Sequence, residues 1–349
     1  MNLAPGVDSV GIHPFLLVLL ACGLDRLLGD PPGWPHPVVL MGWWISRLRY
    51  LGEVWAGDRP WALRLAGFGI TGLLVGGSGL AGWGLEQLAR LWPALGLPLV
   101  LVGLASALAG RSLEQAVQAV LAVLPEPGGL QLGCLEPARQ RLAWFVGRDT
   151  AELDRPAILR AAAESASENA VDGLFAPLFW MLVGAGLLLA GSDHAGPGPL
   201  ALAWAYKASS TLDSMLGYRQ GRLLWLGTAG ARLDDLLTWL PCRLVALGLP
   251  LAAGQPRKTW RLFQAALADG AADPSPNAGV SQAAYAHAVA VQLGGANSYG
   301  GHWRQKPLLA QGQPPPDRAA IGKILALSRR LEALWLAVVA LGGAWAWLQ

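Results

Sequence analysis

Residues 161–180 read AAAESASENAVDGLFAPLFW, and this stretch joins a row of carboxylates to the start of an apolar segment. Glu164, Glu168 and Asp172 are spaced four residues apart, so a regular helix would place them on one face. Like charges at that spacing repel one another and weaken a helix. From Leu174 the chain stays apolar to about residue 191, close to the ~20 residues of a membrane span. The stretch predicts a membrane helix with an acidic row at its edge.

The composition of the whole chain agrees with a membrane protein. Of its 349 residues, 53% are hydrophobic and 14% are charged, whereas soluble domains carry about 25% charged residues. The 17 tryptophans fit membrane interfaces, and membrane helices tolerate the many glycines and prolines. The net charge of +3 gives no indication of nucleic-acid binding. The three cysteines lack metal or disulfide spacing, and the N-terminus lacks the features of a cleaved signal peptide.

Apolar segments alternate with long polar stretches along the chain. The apolar segments lie at roughly 12–24, 62–83, 91–110, 174–191, 236–253 and 331–348. The first is short, and the fifth contains Pro241 and Arg243, so that either could be short, tilted or re-entrant. We therefore expect an all-α, polytopic integral membrane protein with about 4–6 membrane helices and long helical or loop segments outside the membrane. A single membrane-embedded catalytic domain over residues 1–349 is expected.

The polar stretches lie at 25–61, 111–173, 206–235 and 254–330 and carry most of the basic residues. The positive-inside rule then places them in the cytoplasm. This topology has one difficulty, because residues 192–205 are too few to return across the membrane. A re-entrant pair, or a helix that runs past Tyr206 as far as Leu216, would resolve it.

The acidic row suggests a metal site. Stacked carboxylates repel one another, but they become ligands when a divalent cation lies between them, and Mg²⁺ prefers one or two carboxylates together with substrate phosphates. Asn169 lies among them. The alternative is a solvated acidic helix face, which is disfavoured because an unpaired carboxylate beside a membrane is costly. The row predicts Mg²⁺ and a phosphorylated substrate.

Two further polar clusters flank the next apolar segments. In YKASSTLDSMLGYR, residues 206–219, Lys207 suits a phosphate and Asp213 a metal, and the alternative is a capped helix that ends near Gly217. In GARLDDLLTWLPCR, residues 230–243, the adjacent Asp234 and Asp235 leave a helix in different directions. A simple salt bridge with Arg232 is the alternative there.

Two turn-rich stretches complete the set. SPNAG, residues 275–279, predicts a tight turn into a helix with Ser275 or Asn277 as N-cap. LGGANSYGG, residues 293–301, is interpreted as a glycine-rich loop whose backbone N–H groups could approach an anion. Near the N-terminus GDPPGWPHP predicts a rigid extended turn. His36 in that turn could be an acid–base group, although a structural turn explains the prolines better.

Taken together, these residues resemble the adenosylcobinamide-phosphate synthase family of cobalamin biosynthesis (CobD/CbiB). The motifs, in family order, are DRLLGDP…HPV at 25–38, VGRDT at 146–150, ESASENAVDGLFAPLF at 164–179, YKASSTLDSMLGYR, ARLDDLLTWLPCR, SPNAG and LGGANSYGG. Three positions depart from the family pattern. Ser210 and Thr238 stand where asparagine is usual and Ser165 where threonine is frequent.

The resemblance implies a ligase of the bacterial inner membrane whose active site faces the cytoplasm. It would use ATP to join a propionate carboxyl of adenosylcobyric acid to the amine of (R)-1-amino-2-propanol or its O-phosphate. Carboxylate activation of this kind needs Mg²⁺, anion-binding groups and a dry site. The implied partners are the corrinoid, the aminopropanol compound and the lipid bilayer, with a homo-oligomer or other corrinoid-pathway enzymes as further possibilities.

The resemblance and the residue chemistry together suggest roles for the motif positions. Mg²⁺–ATP would be held by Glu164, Glu168 and Asp172. Further metal ligands would come from Asp213, Asp234 or Asp235, and His36 would be a base for the amine. Lys207, Arg148 and Arg232 would bind phosphates and carboxylate. The remaining predicted binding positions are Asp30, Asp149, Asn169, Thr211, Ser214, Tyr218, Ser275, Asn277, Gly294, Gly295 and Tyr299.

Two other function classes remain open from the sequence. A membrane prenyl- or alcohol-phosphate transferase also combines acidic helices with Mg²⁺, but it would use a diphosphate donor instead of ATP. A non-catalytic corrinoid transporter or scaffold would carry acidic residues midway along its spans, whereas here they lie at span ends and in loops.

Overall fold

The structure, a computed structural model, describes residues 13–31, 33, 35–125, 135–191 and 196–347, with side chains up to residue 341. Cys134 and parts of the GDPPGWPHP turn lie outside the described residues. Contacts within the chain divide it into two compact units, each built from separate segments. The first unit comprises 1–108, 177–234 and 339–349, and the second comprises 109–176 and 235–338.

Helices account for nearly all of the first unit. They are α1 (Pro14–Leu28), α2 (Pro37–Ala56), α3 (Pro60–Leu91), α4 (Pro93–Ala105), α8 (Ala176–Ala190), α9 (Pro199–Leu216) and α10 (Leu223–Leu226). Five of these seven helices have a proline as their first residue. Proline suits that position because its missing N–H would have no partner in the first turn and its φ is already helical. Many of the prolines therefore start helices.

The second unit combines helices with a hairpin. Its elements are α5 (Gly110–Val123), α6 (Glu136–Ala143), α7 (Arg155–Ala170), a π-helical turn (Val171–Phe175), most of α11 (Thr228–Ala252), a short 3₁₀ turn (Pro256–Lys258), α12 (Thr259–Gly270), α13 (Ala278–Val289), β1 (Leu293–Tyr299), β2 (His302–Leu309) and most of α14 (Arg318–Trp347).

Within the described residues, four stretches are long and apolar enough to cross a membrane. They are Pro60–Leu91, Pro93–Val123, Arg155–Ala190 and Thr228–Ala252, the second of which contains α4 and α5 with a short break between them. The predicted all-α polytopic membrane fold is confirmed. The predicted segment 12–24 forms the 15-residue α1, and 331–348 lies mainly on α14. Neither is among the four stretches.

Close helix packing in the first unit depends on glycine. A Cβ on Gly82 of α3 would lie 2.8 Å from the carbonyl oxygen of Leu200 on α9, and a Cβ on Gly67 would overlap the carbonyl of Leu226. Small residues of this kind let helix backbones approach closely in membrane proteins. The buried Glu86 of α3 also caps α9, because its carboxylate accepts N–H bonds from Gly198 (2.8 Å) and Leu200 (2.7 Å).

Helix α9 has the extent of one of the two alternatives for residues 192–205, the helix that runs past Tyr206 as far as Leu216, but it is not among the four stretches that could cross a membrane. It starts at Pro199, passes Tyr206 without interruption and ends at Leu216, with Gly217 as C-cap. The predicted end near Gly217 is confirmed.

The second unit packs around the alanine-rich α7. Ala161, Ala162, Ala163, Ala166 and Ala170 are all buried, and their small side chains leave room for α5, α13 and β1 to approach. Beyond α7 the π-helical turn changes the backbone pairing, and the N–H of Ala109 donates to the carbonyl of Gly173 (2.8 Å). The regular helical spacing that linked the three carboxylates therefore stops before Asp172.

The interpretation of residues 293–301 as a loop is wrong. They form β1, which pairs antiparallel with β2, and Gly300 and Gly301 form the two-residue turn with φ of +59° and +79°. Two successive positive φ values are the requirement of a type I′ hairpin turn, which glycine satisfies without strain. The hairpin brings residues of the LGGANSYGG motif against α7.

Candidate functional site: a buried ionic network on the second unit

Glu164 of α7 lies at the centre of a buried ionic network. Its side chain is 1% exposed and pairs through Oε2 with the guanidinium of Arg148, which is 7% exposed. Its other oxygen, Oε1, accepts the backbone N–H of Gly294 at 2.8 Å. A carboxylate can be buried only when it is paired and hydrogen-bonded in this way. Both oxygens of Glu164 are therefore engaged by the protein.

Asn297 of β1 connects the network to the hairpin. Its Oδ1 accepts from Nη1 of Arg148 (2.7 Å) and from Nη2 of Arg160 (3.4 Å). Arg160 also donates to the carbonyl of Ala296 at 2.8 Å. Because arginine is a donor only, these contacts fix which end of the amide is the oxygen. We call Arg148, Arg160, Glu164, Gly294 and Asn297 the Glu164 network.

Asp149 holds the turn of the hairpin. Its carboxylate accepts the hydroxyl of Ser298 (2.6 Å) and the N–H groups of Gly301 (2.8 Å) and Gly300 (3.0 Å). The hydroxyl bond from Ser298, followed by the two backbone N–H bonds, lowers the pKa of Asp149 from its ordinary value. The backbone N–H groups of this motif contact the protein's own carboxylates, those of Glu164 and Asp149, and its binding of a ligand anion stays a prediction.

The Asp149 contact predicts a pH-dependent contribution to stability. A carboxyl whose pKa is lowered on folding stabilises the protein above its unfolded pKa, about 3.9, and loses that effect as pH falls through the folded value. We expect Asp149→Asn to unfold more readily than the wild type at pH 7, and this difference to shrink progressively as pH falls below about 4. Denaturant unfolding in detergent at pH 7 and pH 3 measures it. A difference of equal size at both pH values would contradict the assignment.

Glu168 differs from Glu164 in its surroundings. It is half-buried on α7, and its Oε2 accepts Nε2 of Gln282 on α13 at 2.6 Å. Lys306 of β2 lies near it and pairs with Asp273 at 3.3 Å. Burial alone lowers the pKa of Lys306, but the charges of Glu168, Asp273, Tyr299 and Glu164 outweigh it, so that the pKa is raised. Lys306 is therefore a cationic member of this site, which the sequence analysis missed.

The carboxylates do not assemble into one metal cluster. Within the described part of the chain, no three His, Cys, Asp or Glu side chains lie together where they could hold a metal ion. Glu164 is committed to Arg148 and Gly294, and Asp172 lies in the π-helical turn. A cation bound by one or two carboxylates and completed by substrate phosphates fits Glu168 better than Glu164.

A second polar cluster joins α11 to the start of α13. Asn277 accepts from Arg243 (2.5 Å) through Oδ1 and donates to the carbonyl of Asp235 (2.8 Å) through Nδ2. Ser275 donates to Asp235 (3.3 Å) and accepts the N–H groups of Asn277 and Ala278. The predicted turn into a helix is confirmed. Asn277 occupies the N-cap position, but the side-chain bonds to the first N–H groups come from Ser275.

His36 of the first unit is part of a helix cap. Its Nε2 lies 3.1 Å from Oδ1 of Asp30, and its Nδ1 accepts the N–H of Val38 at 3.3 Å, where α2 begins. Both ring nitrogens are thus engaged by the protein. This arrangement favours the structural alternative for the HPV motif over a role as base.

The other predicted residues of the first unit lie on α9 and at the start of α11. The hydroxyls of Thr211 and Ser214 donate to the carbonyls four residues earlier, Lys207 and Ser210 (2.7 and 2.9 Å). Tyr218 is 46% exposed beyond the end of α9. The predicted positions are divided between the two units. The first unit contains Lys207, Thr211, Asp213, Ser214, Tyr218, Arg232 and Asp234. The second contains Arg148, Asp149, Glu164, Glu168, Asn169, Asp172, Asp235, Ser275, Asn277, Gly294, Gly295 and Tyr299.

Gly294 is the glycine on which the network depends most directly. Its φ is +86°, and a Cβ there would overlap the carbonyl oxygen of Pro307 on β2. We expect Gly294→Ala to lose more stability than the about 1–2 kcal/mol of a left-handed alanine, because the hairpin must also open. Gly312→Ala is the matched control, since Gly312 has a φ of +88° and open space around its Cβ position. Equal losses in denaturant unfolding would contradict the steric argument.

Comparison with known proteins gives a consistent result. A sequence model of the family described as CobD/Cbib protein matches residues 18–328. The cobalamin biosynthesis protein CobD of Synechocystis sp. is 42% identical over 328 residues, covering 93% of this chain and 91% of that protein. The protein of the same name from Chromobacterium violaceum is 40% identical over 93% of this chain and 95% of its own.

A third relative carries the other family name. The cobalamin biosynthesis protein CbiB of Salmonella choleraesuis is 37% identical over 325 residues, with 91% of this chain and 92% of that protein covered. No solved structure gives a significant match.

Proposed function

The chain belongs to the CobD/Cbib family, and on that premise we propose that it is an amide-forming ligase of cobalamin biosynthesis. It joins a propionate carboxyl of adenosylcobyric acid to the amine of (R)-1-amino-2-propanol or its O-phosphate. ATP supplies the free energy, and the product is adenosylcobinamide or its phosphate. The breadth of the family match, residues 18–328, supports a role shared by the whole chain.

The observation that carries this proposal is the meeting of three distant motifs in the Glu164 network. VGRDT contributes Arg148, ESASENAVDG contributes Glu164, and LGGANSYGG contributes Gly294 and Asn297. Glu168 and Lys306 lie beside them. A site that binds ATP and a carboxylate needs fixed positive charge. Arg148, Arg160 and the neighbouring Lys306 supply it here, whereas the N–H of Gly294 is taken by Glu164.

In this reaction Glu164 and Glu168 have different roles. A carboxylate oxygen of the corrinoid takes the γ-phosphoryl group of ATP and ADP leaves; the amine nitrogen then bonds to the acyl carbon, phosphate leaves and the nitrogen loses a proton. Mg²⁺ bound with ATP would neutralise phosphate charge, and Glu168 with Asp172 would hold it. Lys306 attracts phosphate oxygens. Glu164 orients Arg148 and the hairpin, and is a positioning residue.

The proposed location is the bacterial inner membrane, with the site on the cytoplasmic side. Basic residues concentrated in the polar stretches support that orientation, as does the supply of ATP in the cytoplasm. The helix Arg155–Ala190 has 36 residues and is about 54 Å long, longer than the ~30 Å hydrocarbon core. The acidic row, in its N-terminal half, therefore has room outside the bilayer. Association with a second copy or with other corrinoid-pathway enzymes is compatible with this placement.

Turnover by the purified protein tests the proposal. The protein in detergent or nanodiscs is given adenosylcobyric acid, Mg²⁺, ATP and either (R)-1-amino-2-propanol or its O-phosphate, and mass spectrometry follows the amide and ADP. We expect amide formation that requires ATP, with one amine form preferred. No amide with either amine would refute the ligase, and product formed from a diphosphate donor without ATP would favour a transferase.

A further inference from the structure

A cavity of about 540 Å³ opens beside β1 in the second unit. Neither Glu168 nor Lys306 lines it. Its apolar walls come from Leu153, Trp303, Leu308, Pro315 and Pro316. This volume lies within the range of ligand pockets, about 300–1,000 Å³. The indole of Trp303 and the rings of the two prolines offer apolar surface on which a planar ring can stack.

The proline wall is held rigidly in place. Gln292 donates its N–H to the carbonyl of Pro314 (2.8 Å) and accepts the N–H of Gly312 through its side chain (3.0 Å). The prolines themselves have fixed φ angles. The GQPPPD tract at 312–317, which the motif assignments leave without a role, thus forms a preorganised wall of the cavity.

Two buried donors at the cavity lack acceptors. Asn297 is 2% exposed, and its Nδ2 makes no hydrogen bond to any described residue, although its Oδ1 is held by two arginines. Nε of Arg160 is likewise buried without a hydrogen bond, at 4.0 Å from Glu164. Both residues line the cavity. An unsatisfied buried donor is costly, so these groups indicate a ligand that brings acceptor atoms.

The cavity lining also offers acceptors. Glu152 and Asp154 line it and are exposed, and one oxygen of Asp154 caps α7 by accepting the N–H of Ala157 at 2.8 Å. A ligand that satisfies both sets of groups accepts hydrogen bonds from Asn297 and Arg160 and donates them to Glu152 and Asp154. Adenine has this arrangement, with ring nitrogens as acceptors and an exocyclic amino group as donor, and ribose hydroxyls add further donors.

We propose that this cavity binds the adenosine moiety of a substrate, with the base between Trp303 and the proline wall and a ring nitrogen accepting from Nδ2 of Asn297. The proposal rests on the proposed function, which supplies two carriers of adenosine: ATP and the adenosyl ligand of adenosylcobyric acid. Both contain adenine attached to a ribose ring.

Binding measurements on the full chain in detergent test the proposal. Calorimetry is carried out with AMP-PNP and with adenosylcobyric acid, and cobyric acid without the adenosyl group serves as reference. Asn297→Asp keeps an oxygen for both arginines but removes the Nδ2 donor. Ala157→Phe places a bulky side chain in the cavity from α7 and keeps both arginines in the sequence. Trp260→Ala is the control, because Trp260 is exposed on α12 and does not line the cavity.

We expect both cavity variants to weaken binding of at least one adenosine compound by about tenfold or more, the scale of a lost buried hydrogen bond, and Trp260→Ala to have no effect. A loss for AMP-PNP alone identifies ATP as the source, and a loss for adenosylcobyric acid alone identifies the adenosyl ligand. Wild-type affinity for both compounds in both variants would overturn the proposal.

The failure of this proposal is separable from that of the proposed function. Unchanged binding in the variants together with ATP-dependent amide formation would refute the cavity assignment alone. Weakened adenosine binding in a protein that forms no amide would support the cavity and refute the ligase. Equal thermal unfolding of the variants and the wild type shows that any lost affinity comes from the cavity.

Discussion

Replacing Arg148 by methionine should lower the free energy of unfolding by about 3–5 kcal/mol, the usual cost of breaking a buried ion pair. The substitution leaves the Glu164 carboxylate buried with the N–H of Gly294 as its remaining close donor and removes the 2.7 Å bond to Asn297. Methionine occupies much of the volume of the arginine side chain, so the loss of stability comes mainly from the missing charge and not from a cavity. Denaturant unfolding of the detergent-solubilised protein measures it.

The double variant Arg148→Met with Glu164→Gln separates charge from packing. Glutamine keeps an oxygen for Gly294 but no longer needs a counter-charge, so a large part of the stability should return. Arg222→Met is the matched control, because the Arg222–Asp58 pair is exposed on both sides and exposed pairs contribute little. A loss in Arg148→Met no larger than in Arg222→Met would contradict the network assignment.

Replacing Glu168 by glutamine should reduce amide formation by about 10²–10³-fold, the range for losing one group that stabilises charge in the transition state, while the fold stays intact. Glutamine can still bond with Gln282, and Lys306 retains Asp273 at 3.3 Å. The lost charge therefore affects the substrate and its metal ion more than the protein. Steady-state turnover, with thermal unfolding in parallel, measures the effect.

Glu136→Gln is the control for this variant. Glu136 lies on α6, its side chain is 56% exposed, and it pairs weakly with Arg139 at 3.8 Å. We expect wild-type turnover from it. The more severe Glu168→Ala should abolish the product while the protein still inserts into the membrane. Near-normal turnover in Glu168→Ala would refute the role of the acidic row.

Local patterns in the sequence predicted those parts of the fold that depend on neighbouring residues. Helix α9 ends where Gly217 follows it, and SPNAG turns into α13, because both depend on capping within a few positions. The hairpin was missed although Gly300–Gly301 is a recognised two-residue turn signal. The flanking residues GGANSY and HWRQK lack alternating apolar positions, so the glycines favoured a loop.

The site itself was predictable as a set of motifs but not as a set of contacts. The acidic row and VGRDT were identified, yet the pairing of Arg148 with Glu164 is a tertiary contact that spacing does not reveal. Lys306 had no signal, because Asp273 comes near it only once β2 is formed. At the π-helical turn the carbonyl of Gly173 accepts the N–H of Ala109, a residue 64 positions earlier, and such a contact is not visible in local sequence.

The reach of the Glu164 network along the chain has a consequence for biogenesis. Arg148 and Glu164 are 16 residues apart and leave the ribosome almost together, but Gly294 follows Glu164 by 130 residues. At about 5–20 residues per second, that interval is roughly 7–26 s. During that interval Glu164 can pair with Arg148 but not with Gly294, while later helices are being inserted. The hairpin supplies the second donor only near the end of synthesis.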